Sequence, residues 1–309
     1  MKRQQTLRPK PNICSGYLVS YLNSPIGRRE FLKPGAGSAQ IVVNLTDLNK
    51  LKIPLPSDFE QHAIATTLSD ADALIESLDR LIAKKRAIKQ AVMQQLLTGQ
   101  TRLPGFTDEW ETKRLGEIAD IRSGGTPSTA MPAFWNGDVP WCTPTDITEL
   151  GGRKYLSGTE RTISHAGLRA SSAESMPSGS IIMTTRATIG ECAINTVPMT
   201  TNQGFKNLIP SSCDAEFLYY LMTTKKAQLI QLCGGSTFLE IGKKSLLAFE
   251  VTLPQSHQEQ QAIATVLSDM DTEIEALERR RDKARQLKQG MMQQLLTGRV
   301  RLVAPQVAA

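Results

Sequence analysis

The sequence predicts an α+β protein: a globular, loop-rich domain plus two long helices forming an antiparallel coiled coil. Three observations carry this. One segment recurs 199 residues later, residues 57–98 contain no Gly or Pro, and between the two copies the chain turns rich in Gly, Thr, Pro and Ser. The 309 residues, 40% hydrophobic and 21% charged, suffice for one large domain or two ordinary ones. Apolar runs such as Ile181-Ile182-Met183 are far too short to span a bilayer, and no apolar core follows Met1-Lys2-Arg3, so neither a membrane span nor a secretory signal is expected. Five scattered cysteines without a C-x-x-C pair argue against a disulfide framework or zinc knuckle and for reduced thiols in a cytoplasm. The net charge of +6 suits an anionic partner.

The repeat comes first because it sets the architecture. Glu60-Gln61-His62-Ala63-Ile64-Ala65-Thr66 returns as Glu259-Gln260-Gln261-Ala262-Ile263-Ala264-Thr265, and Met93-Gln94-Gln95-Leu96-Leu97-Thr98-Gly99 as Met292-Gln293-Gln294-Leu295-Leu296-Thr297-Gly298. Laid without a gap on 259–302, residues 60–103 are identical at 27 of 44 positions. Upstream, Leu55-Pro56 matches Leu253-Pro254, Gly37-Ser38 matches Gly235-Ser236 and Tyr17-Leu18 matches Phe217-Leu218, while 104–202 has no counterpart. The chain therefore divides into 1–56, the tail of a first module; 57–103, a first helix; 104–255, a complete module; and 256–309, a second helix and tail.

Apolar residues at Ile64, Leu68, Ala71, Ile75, Leu78, Ile82, Val92 and Leu96 follow a 4-3 rhythm, which predicts a helix over 57–98 with a coiled-coil seam. The second copy, over 256–297, reads Ile263, Leu267, Met270, Ile274, Leu277, Ala284, Met291 and Leu295. Gly99 and Gly298 stand where a left-handed C-terminal glycine belongs. At ~1.5 Å per residue each helix is about 60 Å long. Acids (Asp58, Glu60, Asp70, Asp72, Glu76, Asp79) fill the first half of the first helix and bases (Arg80, Lys84, Lys85, Arg86, Lys89) the second. The second helix repeats this, from Glu259, Asp269, Asp271, Glu273, Glu275 and Glu278 to Arg279, Arg280, Arg281, Lys283, Arg285 and Lys288, with Asp282 as the exception. Only an antiparallel pair sets each acidic half against a basic one.

Between the helices, β-like runs at 179–185, 192–194 and 249–253 and one helix over 215–232 predict a loop-rich α+β domain. Enzymatic signatures fail. Gly242-Lys243-Lys244-Ser245 lacks the spacing of a phosphate loop, and Glu111-Thr112-Lys113 lacks the further acid of a metal-dependent nuclease. His62, His165 and His257 are isolated, and adjacent prolines, part of the amino-methyltransferase signature, do not occur. No catalytic residue, metal or cofactor is expected. A nucleic-acid enzyme with coiled-coil arms and a coiled-coil adaptor are the rival readings.

The Glu-Gln-x-Ala-Ile-Ala-Thr, Leu-Ser-Asp-x-Asp and Met-Gln-Gln-Leu-Leu-Thr-Gly blocks resemble the conserved regions of the specificity subunit of type I restriction-modification enzymes. So do 110–118, Ser123-Gly124-Gly125-Thr126-Pro127, Gly137-Asp138-Val139-Pro140-Trp141, Thr184-Thr185-Arg186-Ala187-Thr188-Ile189-Gly190 and Asn202-Gln203-Gly204-Phe205-Lys206, which resemble its target-recognition framework. The resemblance implies a non-catalytic reader of double-stranded DNA, with two recognition domains on antiparallel spacer helices, the helices docking methyltransferase (modification) subunits and the assembly adding restriction subunits. Residues 1–56 depart from it, matching only the tail of a recognition domain. Self-association through the helices stays open.

DNA reading needs cations on phosphates and polar side chains on base edges. The candidates are Arg186; Asn202, Gln203 and Lys206; Ser236, Thr237, Lys243 and Lys244; and Thr126, Ser128, Thr143 and Thr145. Trp135 and Trp141 are expected in the core. Gln94, Gln95, Gln293 and Gln294, which a coiled coil does not itself require, are the candidate partner-binding residues.

Overall fold

The computed structural model describes residues 8–32, 51–233 and 239–302. The chain divides into two units, Met1–Arg86 with Thr272–Ala309, and Ala87–Asp271. In order, the elements are α1 (Ser15–Asn23), α2 (Pro25–Leu32), α3 (Asp58–Leu96), β1 (Trp110–Arg114), α4 (Leu115–Ile118), β2 (Ala119–Ser123), β3 (Trp135–Cys142), α5 (Pro144–Glu149), β4 (Tyr155–Leu156), β5 (Thr162–Ile163) and α6 (His165–Arg169). There follow β6 (Ile181–Met183), β7 (Cys192–Asn195), β8 (Thr200–Thr201), β9 (Lys206–Pro210), α7 (Ala215–Thr224), α8 (Lys226–Gln231), α9 (Lys243–Leu247), β10 (Glu250–Pro254) and α10 (His257–Leu295). The long helices α3 and α10 begin and end within two residues of the predicted bounds, each capped by a glycine, Gly99 at φ 71° and Gly298 at φ 70°.

In the first unit, α3 and α10 run antiparallel. The early part of α3 meets the late part of α10 and the later part of α3 meets the middle of α10: Asp72 with Lys288 (2.5 Å) and Asp79 with Arg285 (2.9 Å), then Lys85 with Glu273 (2.7 Å) and Arg86 with Glu278 (2.5 Å). Ile64 and Leu68 pack with Met292, Leu295 and Leu296 and with Tyr17 and Tyr21 of α1. Sequence periodicity left a gap in the seam after Ile82. The 4-3 spacing continues there through Lys85 and Lys89 in α3, and through Arg281 and Lys288 in α10, all half-buried and all ion-paired across the helices. Exposed ion pairs are worth at most ~1 kcal/mol each, so burial of the apolar seam supplies the stability and these cations set its register.

That geometry makes a direct prediction. Cysteines at Asp72 and Lys288, whose native side chains meet across the helices, are expected to be joined readily within one chain by a short bismaleimide cross-linker. Cysteines at Asp72 and Glu273, 13 residues from the Lys85 partner position and thus about 20 Å along the helix, are expected not to be. Denaturing gels of monomeric protein decide it; preferential linkage of the second pair would mean parallel helices.

Among the described residues the second unit holds three small sheets: β1-β10; β2-β9-β6-β7-β4; and β5-β3-β8. Helix α7 is apolar nearly all round, with Phe217, Leu218, Tyr219, Tyr220, Leu221 and Met222 buried, as expected of a helix covered on both sides. It shares one core with Ile121, Ile181, Ile194 and Leu208 of the five-stranded sheet and with Leu96, Leu97, Ile263 and Leu267 of the long helices. The single helix expected over 215–232 is broken at Lys225. The hydroxyls of Thr223 and Thr224 donate to the carbonyls of Tyr220 and Leu221 (2.7 Å each), competing with the helical ladder just before the break.

The repeated Glu-Gln pair is architectural in each unit. Glu259, buried, takes both Arg102 guanidinium arms (2.6 and 2.8 Å), and Glu60, buried, takes those of Arg301 (2.6 and 2.5 Å). Gln260 accepts the Asp214 N–H ahead of α7 and donates to the Pro254 carbonyl; Gln61 accepts the Cys14 N–H ahead of α1 and donates to that of Pro56. Thus α1 stands to its unit as α7 stands to the other. Cys142, Cys192 and Cys213 are buried, and burial pushes the Cys213 thiol up to about 12.

Candidate nucleic-acid interface

Separated loops of the second unit meet along one edge. Two glycines allow the closest approach. A Cβ on Gly124 would lie 1.8 Å from the Asn202 carbonyl oxygen, and one on Gly125 would lie 2.3 Å from the Ala173 nitrogen, so the Ser123-Gly124-Gly125-Thr126-Pro127 segment can lie against the 201–203 loop at Gly124, and against the 172–173 backbone at Gly125, only as glycine. The Gly125 carbonyl accepts from the Trp141 indole (2.9 Å), and Thr126 donates its hydroxyl to the Gln203 side-chain carbonyl. Asn202 holds its own loop, its side-chain oxygen accepting from the Gly204 N–H (2.9 Å) while its N–H donates to the Cys142 carbonyl (3.0 Å).

Arg186 emerges from the buried Thr184-Thr185 pair. Thr185 bonds the Gly204 carbonyl through both N–H and hydroxyl, and Ala187 turns the chain at φ 62°, a left-handed conformation unusual for alanine. The exposed Arg186 guanidinium meets Glu240 at 2.5 Å, and the Lys206 ammonium meets the other oxygen of the same carboxylate at 3.5 Å. The Arg186 hydrogen bond, with Lys206 behind it, holds the Glu240 carboxyl below the usual carboxylate range. Two cations are therefore presented around one ionised carboxylate.

The candidates differ in what they still have to offer. Thr126, Asn202, Gln203, Arg186 and Lys206 come together, but Lys206 is only 7% exposed, so its ammonium supports Glu240 and is not a free phosphate ligand. Thr143 adjoins Asn202 through Cys142, yet its hydroxyl is committed to Asp146 (2.7 Å) as the cap of α5. Thr145 and Ser128 are exposed, as are Lys243 and Lys244 at the start of α9. Ser236 and Thr237, like Gly37 and Ser38, lie outside the described residues. Gln94, Gln95, Gln293 and Gln294 are all exposed, whereas Leu96, Leu97, Leu295 and Leu296 of the same repeats are buried. Glu111 pairs with Lys113 along β1.

Sequence reasoning missed Glu240, because a search for cations passes over the acid that orders them. It also missed Arg161, whose guanidinium lies 4.1 Å from the Trp135 ring centre and 4.9 Å from that of Trp141. Trp141 is buried as expected, while Trp135 is half-buried and meets it edge-on at 5.0 Å.

Residues 2–84 and 107–286 match the family described as the type I restriction modification DNA specificity domain. The chain belongs to that family. Among curated relatives, the specificity subunit of the type I restriction enzyme MjaIX of Methanocaldococcus jannaschii is 41% identical over 179 residues, 57% of this chain and 41% of the relative. That of EcoR124I/EcoR124II of Escherichia coli is 27% identical over 237 residues, 74% of this chain and 57% of the relative. The chain thus spans about half the length of these family members. Among solved structures, the HsdS subunit from Thermoanaerobacter tengcongensis is similar with a TM-score of 0.50 and 21% identity, over 92% of this chain and 70% of that one. A chain from a structure on assembly and conformational transition of the type I system reaches a TM-score of 0.60 at 20% identity, over 94% and 72%. These likenesses support the fold.

Proposed function

We propose that the chain is a DNA-specificity subunit that reads one half-site of double-stranded DNA through its complete domain, residues 104–255, and performs no chemistry of its own. The supporting observation is the convergence of Thr126, Arg186, Asn202 and Gln203 from separate loops on one edge, with Lys206 and Glu240 fixing the arginine. Such an edge offers a guanidinium and amide groups suited to base edges, which is the chemistry of groove reading. Residues 1–56 supply only the counterpart of the domain's last part and add little sequence discrimination. The long helices scaffold modification subunits, and restriction subunits join that assembly.

Mixing the protein with duplex DNA, magnesium and S-adenosylmethionine tests this, first alone and then with a modification subunit. DNA binding without cleavage or methylation until the partner arrives is the expected result. Metal-dependent cleavage by the chain alone would make it a nuclease. The scaffolding role carries its own prediction: replacing the exposed Gln94, Gln95, Gln293 and Gln294 with glutamate is expected to reduce co-purification of modification subunits while the thermal melt stays within a few degrees of wild type. Undiminished co-purification would move the docking surface elsewhere.

A further inference from the structure

Trp135 and Trp141 both lie on β3, and a regular strand would hold residues so spaced about 20 Å apart. This strand is not regular. Trp135 and Val139 both fall opposite Ile163, and Asn136 takes a left-handed φ of 58°, so residues 136–138 bulge out and shorten the strand. The two indoles consequently meet edge-on at 5.0 Å. Their N–H groups donate to the carbonyls of Ser128 (3.1 Å) and Gly125 (2.9 Å), which sets the pair against the loop that carries Thr126.

Arg161 completes this cluster. Its carbonyl accepts from the Trp141 N–H (3.0 Å) and from the Thr159 hydroxyl (2.7 Å), which fixes its backbone at the entrance to β5. Its guanidinium lies over both rings, 4.1 Å from the centre of Trp135 and 4.9 Å from that of Trp141. Elsewhere in this unit Arg122, Lys154, Arg186 and Lys226 each meet a carboxylate. The exposed Arg161 meets none among the described residues, and no side-chain hydrogen bond there uses its N–H groups. Attraction to ring faces orders a guanidinium without cancelling its charge or occupying its donors.

We propose that Arg161, held by Trp135 and Trp141, grips a phosphate of duplex DNA beside the 125–128 loop, a contact that positions the reading edge and carries no sequence itself. The assignment rests on the DNA-reading function proposed above. Reading a base edge needs donors in set directions, and no hydrogen bond sets those of Arg161. An uncancelled charge acts most strongly on a phosphate, where a guanidinium can also engage two oxygens at once. Because the two rings already order the side chain, little conformational freedom is lost on binding. Arg186 stands in contrast, since it meets DNA only in competition with Glu240.

The test measures binding of the full-length protein, with modification subunits present, to randomised duplexes at several salt concentrations. Arg161→Gln is expected to weaken every sequence about 10-fold, the scale of one lost charged hydrogen bond, and to lower the salt slope by about one. The selected sequence and the thermal melt are expected to stay as in wild type. Arg161→Lys, which keeps the charge, is expected to restore the slope. Trp135→Leu, which removes a ring and not the charge, is expected to cost affinity with the slope unchanged. Unchanged affinity and slope in Arg161→Gln, a loss confined to one base position, a slope that lysine does not restore, or full affinity in Trp135→Leu would overturn the assignment. A wild-type protein that binds no duplex would instead sink the DNA reading itself, and the role of Arg161 with it.

Discussion

Replacing Phe217 by alanine is expected to cost about 3–5 kcal/mol, the range for removing a fully buried aromatic whose site cannot collapse. Phe217 has no exposed surface and lies in the core shared by the five-stranded sheet, α7 and the paired helices. The loss should therefore reach the sheet as well as the helices. Urea unfolding measures the free energy, and hydrogen exchange locates it: amides in β2, β6 and β10 should open together. A cost below ~1 kcal/mol, or exchange confined to α7, would mean that α7 does not tie the sheet to the helices.

The second large effect concerns reading. Arg186→Ala is expected to relax preference at one base position by ~1–3 kcal/mol if its guanidinium meets a base edge. A phosphate contact would instead weaken all sequences alike and lower the salt slope by about one. Glu240 separates this from simple misfolding. Glu240→Gln removes the carboxylate while leaving Arg186 and Lys206 in place, so affinity for all sequences should rise as Arg186 is released and preference at the Arg186 position should broaden. Lys206→Ala is expected to act through Glu240, altering all sequences alike. Unchanged affinity, salt slope and base profile for both Arg186→Ala and Glu240→Gln would remove this edge from the interface.

Much of this architecture could be read from local pattern. The repeat, the helix bounds, the terminal glycines and the antiparallel sense all follow from spacing and from opposed charge along two 39-residue helices. What escaped depends on partners far away in the sequence. Lys85, Lys89, Arg281 and Lys288 break the apolar rhythm, and only the facing carboxylates show that they continue the seam. Sheet order was equally hidden, because β3 pairs with β5 and β8 through two- or three-residue contacts too short to leave a periodic signature. At the candidate interface, residue type picked out Arg186, Asn202 and Gln203, but Glu240 is 54 residues from the arginine it orders. Nor could residue type reveal that Thr143 and Lys206 are already committed to Asp146 and Glu240.

The most direct measurement is a binding series on randomised duplexes at several salt concentrations, with modification subunits present and the number of chains per complex determined on the same samples. A complex with one copy is expected to select a single contiguous half-site through residues 104–255, with affinity falling as salt rises while the selected sequence stays the same. Equal affinity for every sequence would contradict the claim that this chain specifies a target, and a two-part site selected by a single copy would contradict the claim that reading rests on residues 104–255.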